Sequence, residues 1–466
     1  MTHGAIEAQE FMIRKYFGTD GIRGRVGGSL VNTDFAVRLG AAVGEVLKKH
    51  GFVGGSQVLI GRDTRESGMS LLDGLASGLA SGGFSCMDLG VVPTPAVALN
   101  TLQGNAVLGI ALTASHNPAT DNGFKFFMES GRKVEDAWES EVEVFLDSAS
   151  KVPSSPVAVE TSEAQATETY CQFVLGHFHP EMLNGLVLAV DTANGATCGT
   201  TPRVLRELGA EVVQLGHEPD GMNINDGVGS ECPGMIAQLV TGGHAQLGLA
   251  HDGDGDRLVV CDESGSVIEG DEVLGIIGLS WIREARLAQN TLVGTVQCNA
   301  GLEASLKRAG GRLLRTSVGD RSVTRRMFLD GLNFGGEPSG HFVLRDYLGT
   351  GDGLLAALQL LEIRHRSGIS LVELRKEITL FPQSQRNIRV REKLPLDELP
   401  DFQAGLDAIL RELGDNGRVL VRYSGTEPKI RLLAEACSST LAQQVLDSLL
   451  ALARATLNTI DNDEGK

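Results

Sequence analysis

Val58-Leu59-Ile60-Gly61 followed by Arg62-Asp63-Thr64-Arg65 reads as a short apolar strand that breaks off into a polar turn. The pattern returns at residues 186–190, which run into Asp191-Thr192-Ala193-Asn194-Gly195, and at 291–296, which run into Gln297-Cys298-Asn299-Ala300-Gly301. A short continuous apolar run bounded by turn residues suits a strand buried on both faces, as in a parallel sheet. Three of them predict successive α/β units. Helical signals lie beside the first. Residues 34–50 carry Phe35, Leu39, Val43 and Val46 at helical spacing, with Asn32, Thr33 or Asp34 to cap the start and Lys48, Lys49 and Gly51 to end it. Residues 70–83, rich in Ala, Gly and Leu, predict a helix packed closely on a sheet.

Further along, 148–168 reads as a linker, a second boundary falls near 264–270, and a third falls at 380–400, punctuated by Pro382, Pro395 and Pro400. The last segment differs in character. A helix near 401–413, strands at 418–423 and 430–434 around a glycine turn, and a helix over 440–457 predict a small α+β domain with an antiparallel sheet.

A chain of 466 residues exceeds one hydrophobic core, so about three or four domains are expected. A hydrophobic fraction of 42% and a charged fraction of 21% fit a soluble globular protein. The net charge of −18 argues against nonspecific binding to nucleic acid or anionic membrane. It leaves an anionic small molecule open, because local basic residues can hold phosphate. The 7 cysteines include no C-x-x-C pair, and with an odd count the reading is reduced thiols in the cytoplasm. No signal peptide is read at the start, and no apolar run is long enough to span a membrane.

Two motifs carry the chemistry. Thr-Ala-Ser-His-Asn-Pro (113–118) offers the hydroxyl of Ser115 beside His116; on an extended loop adjacent side chains point apart, so His116 is read as touching substrate or shaping the loop. Lys125 lies nearby among Phe124, Phe126 and Phe127, which predict burial of its stem and a lowered pKa. Asp-Gly-Asp-Gly-Asp-Arg (252–257) packs Asp252, Asp254 and Asp256 into one turn. Three close carboxylates repel unless a divalent cation sits among them. A calcium loop of the EF-hand kind is the rival, since Glu263 falls at position twelve counted from Asp252. A plain acidic turn is the bland alternative. A serine nucleophile plus a carboxylate-held metal suggests phosphoryl transfer. Three further loops fit around this pair. Gly-Gly-Glu-Pro-Ser-Gly-His (335–341) could grip sugar hydroxyls through Glu337 and Ser339. Arg-Tyr-Ser-Gly-Thr-Glu-Pro-Lys-Ile-Arg (422–431) has the makings of a phosphate nest, and Phe-Gly-Thr-Asp-Gly-Ile-Arg-Gly (17–24) sets Arg23 in a glycine-rich loop.

In this order the five segments closely resemble the α-D-phosphohexomutase family, across nearly the whole chain. The resemblance implies four domains: three related α/β units and a C-terminal α+β domain with a TATA-binding-protein-like fold, divided as 1–158, 159–264, 265–380 and 381–466. It implies Ser115 as the phosphoserine, with Mg²⁺ held by Asp252, Asp254, Asp256 and the phosphoserine oxygen. It assigns Lys125 and Arg23 to proton transfer and transition-state support, with His116 and His341 beside the sugar. Glu337 and Ser339 would bind sugar hydroxyls, and Arg422, Ser424, Gly425, Thr426 and Arg431 the distal phosphate. A hexose 1,6-bisphosphate primer or an activating kinase would first phosphorylate Ser115. The substrate implied is a hexosamine phosphate, glucosamine 6-phosphate exchanged with glucosamine 1-phosphate, feeding UDP-N-acetylglucosamine and peptidoglycan precursors in the cytoplasm, by a monomer or homodimer. Pro338 departs from the common loop pattern and leaves sister mutases of glucose or mannose phosphates as alternatives; a non-enzymatic sugar-phosphate-binding protein is the third reading.

Overall fold

In the computed structural model, which describes residues 14–148, 156–424 and 427–460, each of the three apolar runs is an interior strand of a unit built to one plan. The first unit contains β1 (Ile22–Arg25), β2 (Gln57–Arg62), β3 (Ser85–Val91), β4 (Leu108–Leu112), β5 (Asp121–Met128) and β6 (Glu160–Thr161), in the sheet order β1-β5-β4-β2-β3-β6. There β2 lies parallel to β3 and β4, and β5 folds back antiparallel on β4. The second unit contains β7 (Val187–Asp191), β8 (Glu211–Leu215), β9 (Leu247–Ala250), β10 (Val259–Cys261) and β11 (Val267–Ile268), in the order β11-β10-β9-β7-β8. Again β7 is parallel to β8 and β9, and β10 returns on β9. The third unit contains β12 (Thr291–Thr295), β13 (Arg312–Thr316), β14 (Phe334–Gly336) and β15 (Phe342–Leu344), and repeats the arrangement with β12 between β13 and β14 and β15 returning on β14.

This plan has a functional consequence. In each unit one parallel strand ends and turns back as a hairpin, and the turn emerges at the carboxyl end of the parallel set, where open α/β sheets bind ligands. The three turns are residues 113–120, 251–258 and 337–341. They carry Ser115, the three aspartates, and Glu337 with His341.

Packing makes the three units one body. A single apolar core runs from Leu59 and Val97 through Leu188 and Leu249 to Leu292 and Phe334. Each such side chain contributes about 1.5–3 kcal/mol when fully buried. In the first unit, helix Thr33–Lys49 is capped by Asn32, whose side chain accepts from the Phe35 N–H at 2.8 Å. It lies against helix Gly68–Ser81 so closely that a Cβ on Gly78 would sit 2.1 Å from the Val37 carbonyl oxygen, which explains the small residues there.

The fourth unit folds around its own core of Val390, Phe402, Ile430 and Leu446. Its strands β16 (Gln383–Val390), β17 (Gly417–Tyr423), β18 (Lys429–Ala436) and β19 (Thr459–Ile460) form an antiparallel sheet ordered β17-β18-β16-β19, covered by helices Pro400–Leu413 and Ser439–Thr456. A polar seam joins it to the third unit. Buried Glu435 accepts from the Ala300 N–H at 2.9 Å and from Arg418 Nε at 2.6 Å, while Arg418 Nη1 donates to the Val296 carbonyl at 2.7 Å.

The structure differs from the sequence expectations in two stretches. Of the linker read at 148–168, residues 149–155 lie outside the described residues, but Glu160–Thr161 joins the first sheet and Glu163–Leu175 is a helix. Composition hid the spacing of Ala166, Tyr170, Cys171 and Val174, all buried on one face. The boundary at 380–400 contains β16, a mostly polar strand whose pairing comes from β18 and β19 on either side. None of the 7 cysteines is in a disulfide. Among the described residues no helix is long and apolar enough to cross a membrane.

Candidate active site

Ser115 sits in the β4–β5 turn with φ 54°, a left-handed conformation that few residues other than glycine and asparagine adopt readily. Its N–H donates to Thr113 Oγ1 at 2.9 Å, and its Oγ donates to Asp252 Oδ2 at 2.5 Å. His116 Nδ1 lies 3.3 Å from the same Oγ. The loop is therefore not extended, and the left-handed turn swings the imidazole back over the serine, contrary to the sequence expectation. Burial, reinforced by the nearby Arg257 guanidinium, lowers the His116 pKa and favours a neutral ring.

The aspartate turn joins β9 to β10. Strands on both sides exclude the helix–loop–helix of an EF-hand. Asp252, Asp254 and Asp256 are all buried, with one carboxylate oxygen from each within 4.8 Å of the others. Their remaining bonds are divided in a telling way. Asp252 Oδ1 accepts from the Arg257 N–H at 3.2 Å. Asp254 Oδ2 accepts from Thr94 Oγ1 at 2.6 Å and from Lys125 Nζ at 2.7 Å, and Asp256 Oδ2 accepts from the same Nζ at 2.7 Å. Asp254 Oδ1 and Asp256 Oδ1 are buried with no hydrogen-bond partner. Orphaned carboxylate oxygens of this kind are rare in interiors and fit a hard divalent cation. Electrostatics agrees. Burial, with Asp254 and Asp256 alongside, pushes Asp252 up to about 8. Burial also works against the Asp256 charge, but Lys125, His341 and Lys133 outweigh it and hold that carboxyl below its usual range.

Lys125 departs from the sequence expectation of a lowered pKa. Burial does oppose its charge, yet Asp20, Asp254 and Asp256 surround it and raise the pKa well above the usual lysine value. Its Nζ is 3.2 Å from Asp20 Oδ2. Arg23 also bonds Asp20, at 2.9 Å, and keeps its buried Nε without a partner beside the cleft.

These groups open into a cleft of about 520 Å³ lined by the 16–21 loop, Arg23, Ser115, His116, Asp256, Arg257, Glu337, Ser339 and His341. Glu337 accepts from the Gly319 N–H at 3.0 Å; Ser339 is exposed on the cleft wall. His341 is buried, with Nδ1 3.9 Å from Asp256 Oδ1 and Nε2 3.3 Å from Asp320 Oδ2. Sequence reasoning singled out neither Asp20, Thr94, Lys133, Asp320, Arg65 nor Asn225. Asp20 was visible inside the 17–24 loop, and Thr94 stands between two prolines, which marks a helix start. Lys133, bonded to Asp20 at 2.5 Å and also to Asp320, carried no local signal.

None of the described residues of the fourth-unit loop lines this cleft. Arg422 and Arg431 are exposed cross-strand neighbours on β17 and β18, Ser424 Oγ is buried without a partner, and Gly425 and Thr426 lie outside the described residues.

Family models for the phosphoglucomutase/phosphomannomutase alpha/beta/alpha domains I, II and III match residues 14–152, 168–265 and 269–381, and that for the C-terminal domain matches 386–452. The chain is 41% identical to the phosphoglucosamine mutase of Syntrophotalea carbinolica over 94% of its length and 97% of that protein. It is 43% identical to the phosphoglucosamine mutase of Cronobacter sakazakii over 94% of its length and 99% of that protein. Among solved structures, a phosphoglucomutase/phosphomannomutase family protein from Burkholderia thailandensis superposes with a TM-score of 0.79 at 26% identity, covering 95% of this chain and 98% of that one. An Aspergillus fumigatus N-acetylphosphoglucosamine mutase solved with GlcNAc-6P and magnesium shares the fold at 17% identity, with a TM-score of 0.60, over 88% of this chain and 85% of that one.

Proposed function

The chain belongs to the phosphoglucomutase/phosphomannomutase family and is a mutase, an isomerase of sugar phosphates, and we propose from this that it interconverts glucosamine 6-phosphate and glucosamine 1-phosphate. The observation that carries the chemistry is Ser115 Oγ, 2.5 Å from a carboxylate of the only three-aspartate cluster among the described residues. Phosphorylated Ser115 gives its phosphoryl group to O1 or O6 of the bound sugar phosphate. The Oγ–P bond breaks as the sugar O–P bond forms, in line; the sugar hydroxyl gives up its proton, Ser115 Oγ takes one up, and a 1,6-bisphosphate results. That intermediate turns end for end, and its other phosphoryl group returns to Ser115.

Asp252, Asp254 and Asp256, with an oxygen of the phosphoserine, would hold Mg²⁺, and the two orphaned oxygens fit it. The ion supplies charge neutralisation for the transferring phosphoryl group. The protein does the rest. Arg23 and Lys125 place positive charge beside the transferring group. His116 Nδ1 is within reach of the proton that Ser115 Oγ gains and loses. Glu337, Ser339 and His341 hold and orient the sugar from the opposite wall. Arg422, Ser424, Gly425, Thr426 and Arg431 grip the distal phosphate once the fourth unit closes, a motion favoured by its separate core and polar seam. A trace of hexose 1,6-bisphosphate or a kinase primes Ser115. A cytoplasmic monomer or homodimer, with domains divided near 158, 264 and 380, completes the reading.

Phosphorus NMR tests it: protein with Mg²⁺, a trace of glucose 1,6-bisphosphate, and glucosamine, glucose or mannose 1-phosphate in parallel. Fastest conversion of the amino sugar supports the assignment. Faster conversion of glucose or mannose phosphate moves the chain to a sister activity and turns attention to Pro338. No conversion of any substrate overturns the mutase reading for this site.

A further inference from the structure

We propose that Arg65 and Asn225 are a pair of positioning residues that hold Ser115 in its left-handed conformation, one from within the first unit and one from the second. The proposal builds on the mutase reading above, since it is Ser115 they position.

Arg65 follows β2, and its side chain is fully buried. A guanidinium has five N–H donors in fixed directions, and here all five are used. Nε donates to Asp63 Oδ2 at 2.8 Å. Nη1 donates to the carbonyls of Asp121, at 2.8 Å, and Pro118. Nη2 donates to the carbonyls of Ser115, at 3.1 Å, and Asn117, at 2.8 Å. A buried arginine needs partners for its own sake. What distinguishes this one is that three of its five acceptors lie in the turn that carries Ser115, and a fourth, Asp121, opens the strand that follows it.

Asn225 approaches the same turn from the second unit. Its Nδ2 donates to the Ser115 and Asn117 carbonyls, both at 2.9 Å. Those two carbonyls thus each accept twice, which uses both of their lone pairs. The turn needs such a grip. A non-glycine residue held in the left-handed region is strained and persists only where its surroundings over-determine it. Relaxing φ at Ser115 would swing Oγ away from Asp252.

Asn225 also links the serine to the aspartates. Its own N–H donates to the Ala193 carbonyl at 2.9 Å, and the neighbouring Ala196 N–H donates to the carbonyl of Gly253, inside the aspartate turn, at 2.8 Å. One layer of the second unit therefore fixes both halves of the site. Arg65 shapes the turn, and Asn225 sets it in register with Asp252.

The test compares Asn225→Ala and Asn225→Asp with the unsubstituted chain, with Arg65→Lys alongside. We expect Asn225→Ala to lower kcat about 10- to 100-fold, the scale of an ångström-sized misplacement. KM should stay within about twofold, and Tm should fall only slightly, since Asn225 itself has φ 58°, a conformation that alanine adopts less readily than asparagine. Asn225→Asp should lose more, because a carboxylate only accepts and would face two carbonyls. Arg65→Lys keeps the charge but has three donors for five acceptors, and should not restore activity. Amide exchange over residues 113–121, in protein without substrate, should accelerate at least about tenfold in Asn225→Ala. Wild-type kcat in both Asn225 variants overturns the proposal. So does a kcat loss that tracks a fall in Tm with exchange in the turn unchanged. Exchange also separates this proposal from the mutase reading: an unsubstituted chain with no turnover sinks that reading, while unchanged exchange in the variants sinks the clamp.

Discussion

Replacing Thr94 with valine removes one hydroxyl and almost nothing else. Thr94 opens helix Thr94–Gln103 in the first unit and is buried. Its Oγ1 donates to Asp254 Oδ2 at 2.6 Å, and its N–H donates to the Asp254 carbonyl at 2.9 Å. With Oδ2 so engaged, Oδ1 of the same carboxylate is left buried and unpaired. A hydrogen bond to a charged group contributes about 1.5–3 kcal/mol. At about 1.4 kcal/mol per factor of ten, its loss corresponds to roughly 10- to 100-fold in divalent-cation affinity, which agrees with the usual effect of removing a group that orients a metal ligand. Lys125 Nζ stays on Oδ2 at 2.7 Å, so the lower end, about tenfold, is the expectation. The assay is the Mg²⁺ dependence of turnover together with direct Mn²⁺ binding by paramagnetic resonance. Thr94→Ser should recover most of the affinity. Unchanged or tighter cation binding in Thr94→Val, with the fold intact, would refute the orienting role.

Ser115→Ala should abolish turnover while isothermal titration still detects sugar-phosphate binding; retained turnover removes Ser115 from the mechanism. Gly21 has φ 77°, and a Cβ there would lie 2.1 Å from the Phe124 carbonyl oxygen. Gly21→Ala should therefore displace Asp20 and Arg23 and lower kcat at least about tenfold, and wild-type kinetics would show the loop to be indifferent. Glu435→Gln leaves Arg418 at the seam without its charge partner, at a cost of about 3 kcal/mol. Calorimetry should then show the fourth unit melting ahead of the rest, and an unchanged trace would count against the seam. Asp352 caps helix Gly353–Ser367, accepting from the Leu355 N–H and from Tyr170 O–H, each at 3.0 Å, and burial lifts its pKa to about 6. An acid whose pKa rises on folding holds its proton more tightly when folded, so its contribution to stability falls as pH climbs from about 4 through about 6 and then levels off. Asp352→Asn should flatten that part of the urea-unfolding profile, and an unchanged slope would remove Asp352 as its cause.

Much of this site was legible in the sequence because its groups are local. Asp252, Asp254 and Asp256 declare themselves by spacing alone, and Ser115 by the company of His116 and Pro118. The repeat was legible because strands buried on both faces leave continuous apolar runs, and β2, β7 and β12 are those runs. What stayed hidden is what depends on distance along the chain. The charge state of Lys125 follows from carboxylates more than a hundred residues away, not from its phenylalanine neighbours. The return of His116 follows from one positive φ, which composition does not encode. Polar β16 was hidden because its order comes from partners rather than from an apolar pattern.

The aspartates do not form a complete cation seat by themselves. Thr94, Ser115 and Lys125 reach them from the first unit, and His341 approaches from the third. A cation held there is thermodynamically a ligand of the docked arrangement rather than of any one unit. Free ion at a hundred times its dissociation constant would add about 2.7 kcal/mol to the docked form alone. Chelation should therefore slacken the joints between units before it melts any of them. An excised second unit would carry all three aspartates yet bind the ion poorly. Divalent affinity would then gauge how well the separate parts of this chain are assembled.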